Sequence, residues 1–254
     1  MTKAIRIGKI YLGEGLPKIC APLTGTEREK LLAEAEAVRK AGADMAEWRA
    51  DLWNGCREEN DPAGAELRSL VCELKEMLQD LPLLFTIRTQ AEGGRADLSE
   101  EAYERMALFA AEAGADLVDV EAFQGDPDRR CHLIRDLQDK GAAVIASTHD
   151  FEKTGPKEEL LERFRRMDRT GADILKMAVM PQQGTDVTAL MEATREMADR
   201  YTQRPLISMS MGVLGVRSRI EGASFGSCVT FGTVGEASAP GQLPVGELRK
   251  RLAE

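Results

Sequence analysis

The sequence repeats one short pattern, in which a helical stretch runs through Gly-Ala-Asp into an apolar segment. The pattern occurs at 38–51, 110–123 and 167–180, with a weaker Gly-Ala-Ala copy at 137–150. Glycine is favoured at the left-handed position that ends a helix, and the segment after each glycine is short and rich in strand-forming residues. The repeat glycines are Gly42, Gly114, Gly141 and Gly171. The pattern therefore predicts repeated helix-to-strand units.

The spacing of these glycines predicts the number of units. Their intervals are 72, 27 and 30 residues, so the long interval holds two units of about 30 residues, the size of a strand with its crossover helix. Further strands are predicted at 18–23, 81–89, 204–211 and 226–233, and helices at 26–41, 99–113 and 187–201. Eight such units predict one α/β domain over residues 1–254, folded as a (β/α)8 TIM barrel. A doubly wound open sheet is the structural alternative.

The residues before the first predicted strand have a different pattern. The stretch "AIRIGKIYLGEGLP" alternates apolar and polar residues and contains Gly-Glu-Gly. Alternation interrupted by glycine is typical of a β-hairpin. We expect a short N-terminal β-hairpin that covers the bottom of the barrel.

Charge and composition limit the partners of the chain. A net charge of −9 argues against nucleic acid. No apolar run is long enough to span a membrane, and the N-terminus lacks the features of a signal peptide. Five scattered cysteines without a CxxC pair predict reduced thiols and a cytoplasmic location. With two histidines, no Cys/His cluster and no nucleotide-binding glycine motif, the sequence predicts neither a metal site nor a nucleotide cofactor.

Charged residues interrupt the predicted strands near their C-terminal ends. Parallel barrel strands are nearly all apolar, and barrel active sites lie at that end. Counted from each repeat glycine, position +5 holds Glu47, Asp119 or Lys176, and position +7 holds Arg49 or Glu121. Arg88 ends the third strand, and His149 falls one residue beyond position +7, at a strand–loop junction. We predict a charged ring formed by Glu47, Arg49, Arg88, Glu121, His149 and Lys176.

Lys176 is the member of this ring that most restricts the chemistry, because its neighbours from Ile174 to Met180 are apolar. A single strand lysine ordinarily extends its ammonium to solvent, but six charged residues at one end of a barrel favour a reactive site. A lysine desolvated among methionines and close to cations would have a lowered pKa and could attack a carbonyl as a neutral amine. His149 could move protons near pH 7. These residues predict a cofactor-free imine enzyme for a hydroxylated, anionic carbonyl compound, and leave aldolase and dehydratase chemistry open.

Several motifs occur in the order found in one family. The chain resembles the type I 3-dehydroquinate dehydratases, the Schiff-base enzymes of the shikimate pathway, over essentially its whole length. The motifs are "EWRAD" at 47–51, "LLFTIRTQAEGG" at 83–94, "STHDF" at 147–151, "LKMAVMP" at 175–181, "SMSMG" at 208–212, "SRIEG" at 218–222 and "TFGTVGEASAPGQ" at 230–242. The resemblance implies a lyase that converts 3-dehydroquinate to 3-dehydroshikimate and water, without metal or cofactor, as a homodimer.

The resemblance also implies a role for individual residues. Lys176 would form an imine with the C3 ketone, His149 would take a proton from C2 and expel the C1 hydroxyl as water, and Glu92 would hold His149. Arg219 would pair with the substrate carboxylate, with Arg217 as the competing candidate. The residues implied to bind the substrate or line its pocket are Glu47, Arg49, Arg88, Met209, Met211, Arg219, Phe231, Ser238, Ala239 and Gln242.

The loop with Ser238, Ala239 and Gln242 is implied to close over the substrate as a lid. Ala223 stands where many family members carry an acidic residue, outside the implied catalytic set, and His132 receives no role. Two alternatives stay open: a class I aldolase, and a barrel that binds a metabolite of the pathway without catalysis.

Overall fold

The computed structural model describes residues 2–56, 62–235 and 237–253. Strands β1 (Ile5–Ile7) and β2 (Ile10–Leu12) form an antiparallel hairpin. The main strands are β3 (Lys18–Leu23), β4 (Met45–Arg49), β5 (Leu83–Thr86), β6 (Leu117–Glu121), β7 (Ala143–Asp150), β8 (Ile174–Val179), β9 (Leu206–Ser210), β10 (Val229–Thr233) and β11 (Leu243–Pro244). The helices are α1 (Arg28–Lys40), α2 (Pro62–Leu78), α3 (Glu100–Glu112), α4 (Pro127–Asp139), α5 (Lys157–Asp168), α6 (Gly184–Arg200), α7 (Val216–Ile220), α8 (Gly222–Phe225) and α9 (Val245–Ala253). Two 3-10 helices, Ala50–Leu52 and Gln90–Glu92, follow β4 and β5.

The strands from β3 to β10 form a closed parallel barrel. Each strand from β3 to β8 pairs in parallel with the next, and β10 pairs with β3. An isolated parallel bridge between Leu206 and Ser227 joins β9 to the residues just before β10. The strand order follows the sequence order, which confirms the TIM barrel and excludes the doubly wound alternative. Within the described part of the chain, no helix has both the length and the apolar character needed to cross a bilayer.

Each copy of the Gly-Ala-Asp repeat lies between the end of one helix and the start of the next strand. The four repeat glycines have φ between +74° and +97°, the left-handed region that side chains disfavour. Three repeat aspartates, Asp44, Asp116 and Asp173, accept a hydrogen bond from a backbone N–H of the preceding strand at 2.7 to 2.8 Å. The motif therefore terminates a helix and fixes the level at which the next strand enters the sheet.

The weak copy of the repeat shifts the strand that carries His149. Ala143 replaces the repeat aspartate, and β7 begins two residues after Gly141, whereas β4, β6 and β8 begin three residues after their glycines. The strand also continues to Asp150, so His149 lies inside β7 and not at its junction with the loop. Because strand side chains alternate between faces, this shift places Ser147 and His149 on the interior face.

Two apolar layers stabilise the barrel. Met45, Leu117 and Ile174 belong to the layer inside the strands, which Ile7 and Leu12 of the hairpin join. This contact confirms the predicted hairpin. A larger layer fills the space between the strands and the helices and includes a cluster in which the Trp48 ring meets Trp53 at a tilt and Phe85 edge-on. Each fully buried aliphatic or aromatic side chain contributes about 1.5–3 kcal/mol.

One predicted strand is much shorter than expected. The apolar run at 81–89 forms strand only over Leu83–Thr86, because the chain then folds back on itself. Ala96 N–H donates to Arg88 O, and Gln90 N–H donates to Ala96 O. This closed loop carries the 3-10 helix that ends at Glu92, and so brings Glu92 over the C-terminal end of the barrel.

Candidate active site

A cavity of about 450 Å³, its open mouth included, lies at the C-terminal end of the barrel strands. Its wall contains every residue implied by the resemblance to act on or bind a substrate except Glu92. They are Glu47, Arg49, Arg88, His149, Lys176, Met209, Met211, Arg219, Phe231, Ser238, Ala239 and Gln242. Phe151 and Ala178 also line the cavity and were not predicted, although Phe151 belongs to the "STHDF" motif and Ala178 lies two residues after Lys176 on the same face of β8.

Lys176 is buried in the floor of the cavity, with 4% of its side chain exposed. Its Nζ lies 3.0 Å from Asp119 Oδ2 and 3.4 Å from Glu47 Oε1. The same atom lies 4.7 Å from the centre of the Phe231 ring. The sequence predicted neighbouring cations, but the charged groups in hydrogen-bond contact with the amine are carboxylates. Lys176 is therefore held by defined partners and does not extend to solvent.

Asp119 joins Lys176 to Arg88 and was not among the predicted site residues. Its Oδ1 accepts from Arg88 Nη2 at 2.9 Å and from Ser147 Oγ at 2.6 Å. Burial opposes its negative charge, but Arg88 and Lys176 outweigh that effect and hold the pKa of Asp119 well below its usual range. The signal for this residue was present, since Asp119 occupies the same +5 position as Glu47 and Lys176.

Arg88 is enclosed by carboxylates. Besides Asp119, its Nη1 donates to Glu121 Oε1 at 2.9 Å and lies 3.6 Å from Glu92 Oε2. Burial opposes the guanidinium charge, but these carboxylates raise the pKa of Arg88. The donors of its guanidinium point in fixed directions, so Arg88 holds these carboxylates in place at the floor of the cavity. Arg88 also lines the cavity itself.

His149 and Glu92 form a buried hydrogen-bonded pair. His149 Nδ1 lies 2.8 Å from Glu92 Oε2. Burial, with Arg88 and Lys176 close by, holds the pKa of His149 well below its usual range, so the imidazole is neutral. Burial and the nearby Glu121 raise the pKa of Glu92 to about 8. Since Nδ1 faces Glu92, Nε2 is the ring nitrogen left to meet a molecule in the cavity, where it can accept or donate a proton.

Arg49 is positioned by its neighbour in the 3-10 helix that follows β4. Its Nε and Nη2 donate to the two carboxylate oxygens of Asp51 at 2.8 Å each. Asp51 also accepts from Arg95 N–H at 3.1 Å. Arg49 Nη1 reaches Ser238 O at 3.4 Å. Asp51, which was not predicted, closes the "EWRAD" motif and fixes the direction of the arginine.

Arg219 is a buried arginine without a carboxylate partner among the described residues. Its Nη2 donates to Pro240 O at 3.0 Å, its Nη1 contacts Met209 Sδ at 3.6 Å, and its Nε has no hydrogen-bond partner. Burial lowers its pKa to about 10. The competing candidate Arg217 is exposed and paired with Glu221 at 2.9 Å. Only Arg219 of these two lies in the cavity wall, where an uncompensated guanidinium is suited to an anionic group.

Residues 237–242, which follow β10, contribute Ser238, Ala239 and Gln242 to the cavity wall. Within this loop Ser238 N–H donates to Gln242 Oε1, and Gln242 Nε2 donates to Ser238 Oγ, both at 3.0 Å. Gly241 has φ of +80°, and a Cβ there would lie 2.3 Å from Gly212 O. Gly212 N–H donates to Pro240 O at 3.1 Å. The loop is thus internally braced and rests against the segment after β9.

Two residues set aside at the level of sequence lie apart from this cavity. Ala223 is exposed on α8, and His132 is exposed on α4 with Nδ1 against Asp128 O at 2.7 Å. No group of three or more His, Cys, Asp or Glu side chains with the arrangement of a metal site occurs in residues 2–56, 62–235 and 237–253.

Comparisons with a family model, with related sequences and with solved structures all indicate the same family. A family model described as "Type I 3-dehydroquinase" matches residues 19–254. The 3-dehydroquinate dehydratase of Klebsiella pneumoniae subsp. pneumoniae is 44% identical over 251 residues, 98% of each chain. A crystal structure of the type I 3-dehydroquinate dehydratase from Clostridium difficile, with covalently modified comenic acid, has a TM-score of 0.92 and 40% identity, covering 99% of this chain and 97% of the other. The 3-dehydroquinate dehydratase structure from Geobacillus kaustophilus has a TM-score of 0.93 and 38% identity, covering 99% and 95%.

Proposed function

The chain belongs to the type I 3-dehydroquinase family, and we propose that its cavity dehydrates 3-dehydroquinate to 3-dehydroshikimate and water through an imine on Lys176. One observation carries the proposal: a buried lysine and a histidine hydrogen-bonded to Glu92 line the same cavity as an arginine without a described carboxylate partner. An amine, a base and an anion site are the groups that this reaction needs. The relatives named above carry the same activity in their names.

The reaction begins when the Lys176 ammonium gives up a proton and the free amine attacks the C3 ketone; that proton returns to the hydroxyl formed at C3, which leaves as water. Loss of water gives a protonated imine, which is a stronger electron acceptor than the ketone and makes the C2 protons more acidic. His149 Nε2 takes a proton from C2 while Glu92 accepts from Nδ1–H, as a carboxylate orients an imidazole in other catalytic pairs. The electron pair left at C2 forms the C1–C2 double bond as the C1 hydroxyl leaves. His149 donates the proton to that hydroxyl, so water departs, and hydrolysis of the imine frees the product.

The remaining cavity residues would bind and shield the substrate. We assign the substrate carboxylate to Arg219, whose planar fork suits bidentate pairing, and the substrate hydroxyls to Glu47, Arg49 and Arg88. Met209, Met211 and Phe231 supply the apolar wall beside Lys176. Ser238, Ala239 and Gln242 would hold the loop closed over the bound ring and exclude water.

The proposal extends to the setting of the enzyme. We propose that residues 1–254 act as one catalytic domain without metal or cofactor, as a homodimer, in the cytoplasm. The family resemblance supports the homodimer. Cysteines without disulfide partners support a reducing compartment, since Cys20, Cys56, Cys72, Cys131 and Cys228 are free.

The deciding experiment is covalent trapping. The protein is mixed with 3-dehydroquinate and sodium borohydride, and intact-mass spectrometry with peptide mapping locates the adduct. The proposal expects a reduced adduct on Lys176, none in Lys176→Ala, and an unchanged yield in Lys153→Ala, which alters a lysine outside the cavity wall. An adduct with an open-chain sugar phosphate in place of dehydroquinate would favour the aldolase alternative. Binding of dehydroquinate without any adduct would favour the non-catalytic barrel.

A further inference from the structure

We propose that Gln124 is a positioning residue that holds Glu92 in its carboxylate form and so sets the pH range over which His149 can act as a base. This inference rests on the proposed function, because it concerns the same proton transfer. Gln124 lies in the loop between β6 and α4. It does not line the cavity that contains Lys176, so its effect on the reaction would pass through Glu92.

The two carboxylate oxygens of Glu92 contact side chains from different parts of the fold. Oε2 is hydrogen-bonded to His149 Nδ1 at 2.8 Å and lies 3.6 Å from Arg88 Nη1. Oε1 accepts a hydrogen bond from Gln124 Nε2 at 3.4 Å. That hydrogen bond is long, as catalytic hydrogen bonds often are before a substrate tightens the site. Gln124 is therefore placed to fix the carboxylate from the side opposite to the oxygen that His149 uses.

Burial and two nearby carboxylates oppose the charged form of Glu92. Glu92 is only 3% exposed, and burial together with Glu121 and Asp119 raises its pKa. Arg88 and the Gln124 amide act in the opposite direction. Arg88, however, lies closer to Asp119 and Glu121, at 2.9 Å each, than to Glu92. The amide of Gln124 is thus a second donor to Glu92 besides His149 Nδ1–H, and it does not titrate.

The loop that carries Gln124 is tied firmly to β6. Arg130 Nε donates to Gln124 O at 2.8 Å, and its guanidinium lies 4.7 Å from the centre of the Tyr103 ring. The Tyr103 hydroxyl in turn accepts from Glu121 N–H at 3.2 Å. Through these contacts the backbone of Gln124 keeps a fixed position relative to the carboxylates of β6.

Glu92, Gln124 and His149 also line a second cavity of about 1160 Å³, its mouth included, which Lys176 does not line. Its charged groups come from β7, from the loop that follows it and from α5. They are Asp150, Glu152, Arg163 and Arg166. Arg163 is paired with Glu159 at 2.7 Å and lies 3.8 Å from Asp150, and the Arg166 guanidinium lies 4.5 Å from the centre of the Phe123 ring. Asp150, Arg163 and Arg166 have partners of their own, and Gln124 supplies the contact to Glu92 from this side.

The test uses the dependence of kcat/KM on pH in Gln124→Met, which keeps the side-chain volume but removes the donor. A hydrogen bond to a charged group corresponds to a shift of about one pH unit. We expect the rising limb to move to higher pH by about 0.5–1 unit, so that kcat/KM falls about 3- to 10-fold at pH 7 and recovers near pH 9.5. Gln124→Glu, which adds a negative charge beside Glu92, should move the limb further in the same direction.

The matched control is Gln138→Met. Gln138 Nε2 also donates to a carboxylate, Asp173 Oδ2 at 3.0 Å, but at the opposite end of the barrel, and its pH profile should coincide with that of the wild type. A rate loss of equal size at every pH in both Gln124 variants, or an unmoved limb, overturns the inference. Borohydride trapping is run in parallel. An adduct on Lys176 with an unmoved limb refutes only the role of Gln124, whereas no adduct in the wild type refutes the proposed function itself.

Discussion

Lys176 Nζ lies 3.0 Å from Asp119 Oδ2, although the two residues are 57 positions apart and stand on strands separated by β7. The contact crosses the interior of the barrel, where side chains from alternate strands meet. Asp119 uses its other oxygen for Arg88. Asp119 thus contacts both buried basic side chains, alongside Glu47 at Lys176 and Glu121 at Arg88, and joins them into one network.

Substituting Asp119→Asn should destabilise the protein at neutral pH. The change leaves the shape intact but removes the charge opposite Lys176 and Arg88, and breaking a buried pair costs about 3–5 kcal/mol. Urea denaturation at pH 7 measures this difference in the free energy of unfolding. Asp199→Asn, at an exposed position of α6, is the control and should change it by less than about 0.5 kcal/mol.

The same substitution should show a defined pH dependence. The pKa of Asp119 is depressed in the folded state, so its contribution is fully present above the unfolded pKa of about 3.9 and is lost as pH falls toward the folded value. The gap between wild type and Asp119→Asn should be the same at pH 7 and pH 5 and shrink by about 1.4 kcal/mol per pH unit below about 4. A gap that already narrows between pH 7 and pH 5 would contradict this account.

The fold followed from the repeat because its signal is local. A glycine with positive φ follows α1, α3, α4 and α5, and in three of these copies the aspartate two residues later bonds the preceding strand, so these helix ends and strand starts can be predicted from a few residues. The end of β5 could not be predicted in this way. Leu83–Thr86 stops early because Arg88 O pairs with Ala96 N–H, a contact that no apolar pattern encodes.

Strand periodicity predicted which side chains face the cavity. It did not predict which of those side chains contact one another. Position +5 gave Glu47 and Lys176, and the same rule marked Asp119. Which charges would contact Lys176 depends on the distances between strands, so carboxylates were found where cations were expected. The register of β7, which turns His149 inward, is shifted in the one copy of the repeat where an alanine, Ala143, replaces the aspartate.

Replacing His149 by alanine should separate imine formation from dehydration. Lys176 keeps its carboxylate partners, so borohydride should still trap some adduct with 3-dehydroquinate. Loss of a general acid and base typically costs about 10²–10⁴-fold, and kcat should fall by that order. Turnover assays and intact-mass spectrometry on the same preparation measure both. Full turnover by His149→Ala would remove the histidine from the mechanism.

Activity should rise with pH through the titration of Glu92. Burial and Glu121 raise the pKa of Glu92 to about 8. As pH falls through that value Glu92 takes up a proton, the hydrogen bond to Nδ1 reverses, and Nε2 carries the ring proton and cannot act as base. We expect kcat/KM to fall about tenfold per pH unit below pH 8. Glu92→Gln should have a lower rate without this limb, and a limb that persists in the variant would assign the titration to another group.

Arg219→Met should weaken substrate binding without weakening the fold. The guanidinium is buried with Nε unpartnered and has no described carboxylate beside it. Its uncompensated charge therefore destabilises the folded protein when no ligand is bound. The free energy of unfolding of the ligand-free variant should equal or exceed that of the wild type. Loss of a desolvated charge pair with the substrate carboxylate costs about 2–4 kcal/mol, or about 30- to 700-fold in kcat/KM.

Arg217→Met provides the matched comparison for this prediction. Arg217 is exposed and bonded to Glu221, an exposed ion pair of the kind that contributes about 0–1 kcal/mol, so kcat/KM should stay within about twofold. A substrate analogue that lacks the carboxylate separates the two explanations further. If Arg219 binds that group, wild type and Arg219→Met should act on the analogue with similar kcat/KM. A loss in Arg219→Met that is equally large for the analogue would instead show that Arg219 acts by bracing the loop through Pro240 O.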